Sequence, residues 1–123
     1  MGAPLMLDYA CISLSDLLVP WEVICNRLEA AAAADLVVAL YNPKSKKRVK
    51  QIAEAAAIFQ RYRPAATPVG IATAVGRREE KIVVSDLGHF LEMEIDMRSV
   101  VIVGNSSSQN LNGWFITPRG YRI

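Results

Sequence analysis

The chain has 123 residues, of which 52% are hydrophobic, and a formal net charge of +2 at pH 7. This length and apolar content suit one domain with a real core, and they are too small for two domains of ordinary size. Acidic and basic residues nearly balance, which excludes the broad positive field that is typical of nucleic-acid binders. No apolar stretch approaches the roughly 20 residues of a membrane span, and the first residues do not resemble a signal peptide. We therefore expect a soluble, cytoplasmic protein that binds neither nucleic acid nor membranes.

The first 40 residues predict a strand, a helix and a second strand. Residues 9–14 (YACISL) form an apolar run that is typical of a strand. Pro20 suits a first helical position, because its missing N–H would be unpaired there. The apolar residues that follow share one face of a helix ending near Asp35: Trp21, Ile24, Leu28, Ala31 and Ala32. Residues 36–40 (LVVAL) are continuously apolar, which suits a strand that is covered on both faces.

The rest of the chain predicts one more helix and a hairpin within a mixed sheet. Helical spacing continues to about Tyr62 through Val49, Ile52, Ala53, Ala56 and Phe59. Strands are predicted at 69–73, 81–85 and 99–104, with an edge strand at 114–117, and the charged turn 77–80 joins the first two as a hairpin. Helices early and a hairpin later indicate one α/β domain with a mixed sheet of about five strands flanked by helices.

Three strand ends are candidate parts of a ligand site, because such sheets bind ligands beyond the carboxyl ends of their strands. They are residues 40–43 (LYNP), 71–74 (IATA) and 103–108 (VGNSSS). The alternative is that Asn42-Pro43 only turns the chain. The cations that follow, Lys44, Lys46, Lys47 and Arg48, either solvate the next helix or help to capture an acidic ligand.

The residues alone predict no catalytic group and no metal site. Cys11 and Cys25 have no companion cluster of ligands and are expected to be reduced thiols in the core. His89 is the single histidine and receives no role. The stretch from Gly104 to Ser108 could cradle an anion, but it lacks the Lys-Ser/Thr ending of a phosphate-binding loop.

Three ordered motifs carry a more specific signal: ISLSDLLVPW (12–21), LYNPKS (40–45) and VIVGNSS (101–107). With the segments between them, they resemble the C-terminal half of precorrin-3B C(17)-methyltransferases, members of the tetrapyrrole methylase family of cobalamin biosynthesis. The resemblance covers nearly the whole chain. It implies that residues 1–123 are the C-terminal domain of a two-domain enzyme whose N-terminal domain is absent here.

The resemblance also implies a cofactor and its contacts. S-adenosylmethionine lies between the two domains in this family, with the backbone of one strand end receiving the adenine. The positions that match the cofactor-binding segments are Leu40, Tyr41 and Asn42 for the methionine part, Ala72, Thr73, Ala74 and Val75 for the adenine, and Gly104, Asn105 and Ser106 facing the same cleft. The catalytic residues stay unassigned.

The implied reaction is methyl transfer to carbon 17 of precorrin-3B, or of cobalt-precorrin-3B, with contraction of the macrocycle. The resemblance further implies a homodimer, and a single domain is expected to be inactive alone. A freestanding ligand-binding module and a dimerisation module without catalysis stay open as alternatives. An RNA or protein methylase of the same superfamily is disfavoured by the absence of a basic field and by the specific motifs.

Overall fold

A computed structural model describes residues 2–5, 8–45 and 49–118. Its elements in chain order are β1 (Tyr9–Ser13), α1 (Trp21–Ala33), β2 (Val37–Tyr41), α2 (Gln51–Gln60), β3 (Pro68–Thr73), β4 (Lys81–Asp86), a 3-10 turn (Phe90–Glu92), β5 (Ser99–Val103), β6 (Gln109–Leu111) and β7 (Trp114–Ile116). Within these ranges, no helix has both the length and the apolar character needed to cross a bilayer.

Five strands form a mixed sheet in the order β1-β2-β5-β3-β4, which confirms the predicted sheet. β1 and β2 are parallel, whereas β5 runs antiparallel to both β2 and β3, and β4 runs antiparallel to β3. Strands β1, β2 and β3 therefore end on one side of the sheet, which we call the carboxyl end. Strand β5 ends on the other side, where β2 and β3 begin, which we call the amino end.

The main core lies between the sheet and the two helices. Apolar side chains from alternate strand positions meet the buried faces of α1 and α2; among them are Ile24, Leu28, Val38, Leu40, Phe59 and Val101. Full burial of one such side chain stabilises the fold by about 1.5–3 kcal/mol. The predicted apolar stripe of α2 is partly wrong, since Val49 and Ala53 are exposed whereas Ala55 and Ile58 are buried. The helix begins at Gln51, two residues after Val49.

The opposite face of the sheet is covered by a small hairpin. Phe115 of β7 is fully buried there against Val37, Ala39 and Ile102. The predicted strand at 114–117 is present as β7, but it pairs with β6 and is not an edge of the main sheet. The turn Asn112-Gly113 has positive φ at both residues, 54° and 87°, which is the geometry that two-residue hairpins favour.

The prediction of core thiols is wrong for Cys11, whereas Cys25 packs against the main core. Ile12 points to the helices, so Cys11 points to the opposite face of β1, where it is exposed; Cys25 is half-buried on α1. The cluster around Phe115 reaches β2 and β5 but not β1. An edge strand that is covered on one face leaves its alternate side chains open, and a five-residue apolar run cannot reveal that difference.

Candidate functional site

Two of the predicted binding segments lie at the carboxyl end of the sheet, on either side of β5. Tyr41 of β2 pairs with Val100, and Thr73 of β3 pairs with the neighbouring Ser99, so β5 is the one strand between the two segments. Neighbouring strands lie about 4.8 Å apart, which puts the segments roughly 10 Å from each other. This distance is suited to a ligand that spans two strand tips.

Both strand tips contain a non-glycine residue in left-handed backbone geometry. Asn42 has φ 51° and Ala74 has φ 53°. This geometry costs an alanine roughly 1–2 kcal/mol, so the surrounding structure must hold Ala74 in place. Its N–H donates to the carbonyl of Arg98 at 3.2 Å, and the preceding Thr73 shares a buried hydrogen bond of 2.8 Å with Ser99. Strained backbone of this kind concentrates at ligand sites.

The side chains at these tips differ in what they offer to a ligand. Leu40 is fully buried against the helices, so it can contribute backbone atoms only. The Tyr41 side chain is 44% exposed, and the Asn42 amide donates to the hydroxyl oxygen of Ser13 at 3.2 Å. On β3, Ala72 is half-buried while Val75 is exposed. The tips therefore present backbone, one aromatic ring and small side chains.

A cavity of about 510 Å³ adjoins the same end of the sheet. It is lined by Lys44, Ser45, Val49, Ile95, Asp96, Met97 and Arg98. Hydrogen bonds from the Arg98 backbone N–H and guanidinium hold the pKa of the Asp96 carboxyl below its usual value. No site was predicted at residues 95–98, because their mixed pattern is typical of a half-exposed surface segment. Lys46, Lys47 and Arg48 of the predicted cationic cluster lie outside the described residues.

Gly104, Asn105 and Ser106 lie at the amino end, so they do not face the same cleft as the other predicted residues. Strand β5 is antiparallel to its neighbours, and five residues at about 3.3 Å each separate its two ends by roughly 16 Å. The antiparallel course of β5 could not be read from its apolar run, which is why the expectation of one shared cleft is wrong.

Polar groups of the loop at residues 104–106 form hydrogen bonds with Asp35 of the same chain. The Ser106 N–H donates to the Asp35 carboxylate at 2.9 Å, and the Ser106 hydroxyl donates to its other oxygen. The Asn105 amide donates to the Asp35 carbonyl at 3.0 Å. Asp35 itself has φ 59° at the end of α1. Its carboxylate thus takes the place that an external anion would occupy in an anion-binding loop.

Comparisons with known proteins show which enzymes this chain is similar to. No family model matches it. It is 51% identical over 122 residues to the cobalt-factor III methyltransferase of Priestia megaterium, matching 99% of this chain and 23% of that protein. It is 46% identical over 109 residues to the precorrin-3B C(17)-methyltransferase of a Sinorhizobium species, matching 89% of this chain and 43% of that protein. The crystal structure of the methyltransferase CobJ superposes with a TM-score of 0.87 and 39% identity, covering 95% of this chain and 49% of CobJ.

The chain is homologous to the C-terminal part of these methyltransferases. It spans less than half the length of each of the three. The uroporphyrin-III C-methyltransferase of Thermus thermophilus, solved as a complex with S-adenosylhomocysteine, matches 81% of the chain with a TM-score of 0.57 and 18% identity. At that identity the match shows the fold alone. Both structures agree with the predicted α/β fold of tetrapyrrole methylase C-terminal domains.

Proposed function

We propose that this chain is the C-terminal domain of an S-adenosylmethionine-dependent methyltransferase that acts on carbon 17 of precorrin-3B or its cobalt-containing counterpart, with ring contraction. The observation that carries the proposal is the meeting of the β2 and β3 tips at one end of the sheet, in a chain homologous to C(17)-methyltransferases. Names of the relatives include both cobalt-factor III and precorrin-3B, so both substrates stay within the proposal.

The proposed cofactor site consists of Leu40, Tyr41 and Asn42 on one tip and residues 72–75 on the other. Small side chains at Ala72 and Ala74 leave room for a planar adenine beside the backbone of this tip. The Ala74 N–H is paired with Arg98 and its carbonyl accepts from Arg77, so an adenine amino group would use the second lone pair of a carbonyl here. The exposed ring of Tyr41 is a better neighbour for the cationic sulfonium than a lysine ammonium would be, because the face of an aromatic ring attracts cations. When bound, S-adenosylmethionine supplies an electrophilic methyl group, and these residues orient it. Gly104, Asn105 and Ser106 are not part of the proposed site.

The proposed site is one wall of a cleft whose other wall belongs to an N-terminal domain of the kind that the longer relatives imply. Large apolar side chains stand exposed around the carboxyl end, including Leu17 (82% exposed) and Leu18 (97% exposed) after β1, with Val75 and Met97 nearby. Exposed apolar clusters of this kind mark surfaces that meet another domain or chain. Alignment of nucleophile, methyl and sulfur supplies much of such catalysis, so this chain alone should have little activity.

Calorimetric titration tests the cofactor site. Binding of S-adenosylhomocysteine should strengthen when the N-terminal half of a relative is added in trans. Tyr41→Ala should weaken S-adenosylmethionine more than S-adenosylhomocysteine, by about 2- to 5-fold, because only the former carries the sulfonium charge. Tyr62→Ala is the matched control, since Tyr62 is 45% exposed but follows α2 near the amino end.

The outcomes separate the alternatives. Tight binding by this chain alone would favour a self-sufficient ligand-binding module. A molecular mass that rises with protein concentration, without binding of S-adenosylhomocysteine, would favour a dimerisation module. Absence of binding in both conditions would contradict the proposal.

A further inference from the structure

The cavity beside the proposed cofactor site has an apolar body. Ile95 is buried at 7% exposure and forms its floor, while Val49 and Met97 are exposed on its walls. Arg98, one of the lining residues, is linked to the β3 tip, because its carbonyl accepts the N–H of Ala74. A volume of about 510 Å³ lies within the range of small-ligand sites.

Among the described residues that line the cavity, Lys44 is a cation without an ion pair. The Arg98 guanidinium donates to Glu79 and to Asp96, each at 3.1 Å. Lys44 is half-buried on the opposite wall and forms no ion pair with a carboxylate of the described residues. An ammonium beside apolar side chains suits an anionic group carried on an apolar body.

We infer that this cavity receives one edge of the tetrapyrrole, with a carboxylate side arm paired to Lys44 and the ring edge against Val49, Ile95 and Met97. The nature of the occupant rests on the proposed function. A second source of a carboxylate is the amino-acid part of the cofactor, which also carries an ammonium and a sulfonium. Those two cations make the cofactor a poor partner for Lys44, whereas the tetrapyrrole carries several acids and no fixed cation.

Uroporphyrin III is the probe, because it is an acidic tetrapyrrole whose binding can be followed by its fluorescence. The intact 123-residue chain should bind it, and Lys44→Met should weaken binding by about 3- to 10-fold, as expected for one partly screened charge-assisted contact. Lys44→Arg should restore binding to within about 2-fold of the original. Lys50→Met is the matched control: Lys50 is exposed six residues later, does not line the cavity, and should change binding less than 2-fold.

Methyl NMR locates the bound ring. A porphyrin in the cavity should produce large ring-current shifts at Ile95 and Met97 and small ones at Leu111, which lies on the β6–β7 hairpin. Equal losses for Lys44→Met and Lys50→Met would overturn the inference, as would shifts centred on Leu111. A lack of binding by the unmodified chain would also overturn it, because every residue of the cavity belongs to this chain.

Titration of the same variants with S-adenosylhomocysteine, with the N-terminal half of a relative present, separates the two carboxylate sources. We expect Lys44→Met to leave that affinity within about 2-fold. If it weakens S-adenosylhomocysteine but not uroporphyrin III, the cavity belongs to the cofactor and the inference is wrong. If Lys44 governs uroporphyrin III while S-adenosylhomocysteine never binds, the tetrapyrrole site stands and the methyltransferase proposal fails.

Discussion

Replacement of Arg63 should be among the most destabilising single changes in this chain. Arg63 is buried, and burial lowers the pKa of its guanidinium. It donates to the carbonyl of Gly104 at 2.6 Å and to the carbonyl of Leu36 at 2.5 Å. The group therefore ties the end of β5 to the start of β2, and it lies 5.0 Å from the ring of Phe59.

The size of the effect follows from the carbonyls left behind. In Arg63→Met the carbonyls of Gly104 and Leu36 lose these donors, and a buried acceptor without a partner costs about 1–3 kcal/mol. The weaker contacts to Ala31 and Ala32, at 3.3 and 3.5 Å, add little, because both carbonyls also accept backbone N–H groups. Relief of the buried charge offsets part of the loss. We expect a net loss of about 2–4 kcal/mol, or roughly 10 °C in Tm for a domain of this size.

Urea denaturation followed by circular dichroism measures this loss. Arg63→Lys should cost nearly as much, since one ammonium cannot reach both carbonyls in the planar geometry of a guanidinium. Arg61→Met is the control two residues away: Arg61 is exposed in a 3.6 Å ion pair with Glu29, and its loss should cost less than about 1 kcal/mol. A stability change below about 1 kcal/mol for Arg63→Met would refute the reasoning.

Three further predictions concern one glycine and two ionisable groups. Gly104→Ala should cost about 1–3 kcal/mol in a urea titration, because the new Cβ would lie 2.7 Å from the Ser108 side chain; an unchanged midpoint would contradict this. The hydrogen bond that His89 donates to the Asp86 carboxylate raises the pKa of His89 above 6.5, so an NMR titration of this single histidine should show that shift and Asp86→Asn should remove it. Its stabilising contribution is present below the unfolded pKa and disappears as pH rises through the folded value. The pKa of Asp96 is lowered, so its contribution is present above about pH 4 and is lost as pH falls through the folded value; Asp96→Asn should flatten that acid limb.

Local sequence patterns predicted the helices and strands well. They could not predict which strands pair, and therefore could not predict the direction of each strand in the sheet. The run at residues 36–40 and the spacing of Ile24 and Leu28 fix a strand and a helix, because burial on a regular element imposes a period. Whether β5 lies parallel or antiparallel to β2 depends on which strands are neighbours. No local period encodes that choice. Because β5 is antiparallel to β2, Gly104 lies at the opposite end of the sheet from the predicted one.

The candidate site shows the same division. Tyr41 and Ala74 were named because they follow buried strands, and a general rule for α/β sheets points to such tips. Lys44 was named only as one of several cations, since its relation to Ile95 arises from an approach of segments 50 residues apart. The apolar floor could not be separated from an ordinary surface segment in the sequence.

The contrast between the two ends of the sheet supports the proposed place of the site without reference to any relative. At the amino end, Ser106 donates to Asp35 and the Gly104 carbonyl accepts from Arg63, so internal groups satisfy the polar atoms. At the carboxyl end, Ala74 has the left-handed conformation that Asp35 has at the amino end, and an alanine tolerates it less well than an aspartate. Lys44 lines an apolar cavity there without a described carboxylate partner. Polar groups that are satisfied internally stabilise a fold, whereas strain and an unpaired charge persist where a ligand is bound. Substitutions at the amino end should therefore change the free energy of unfolding and leave ligand affinity intact. Substitutions at Tyr41 and Lys44 should do the reverse, and a set of variants that mixed the two effects would remove the basis for placing the site at the carboxyl end.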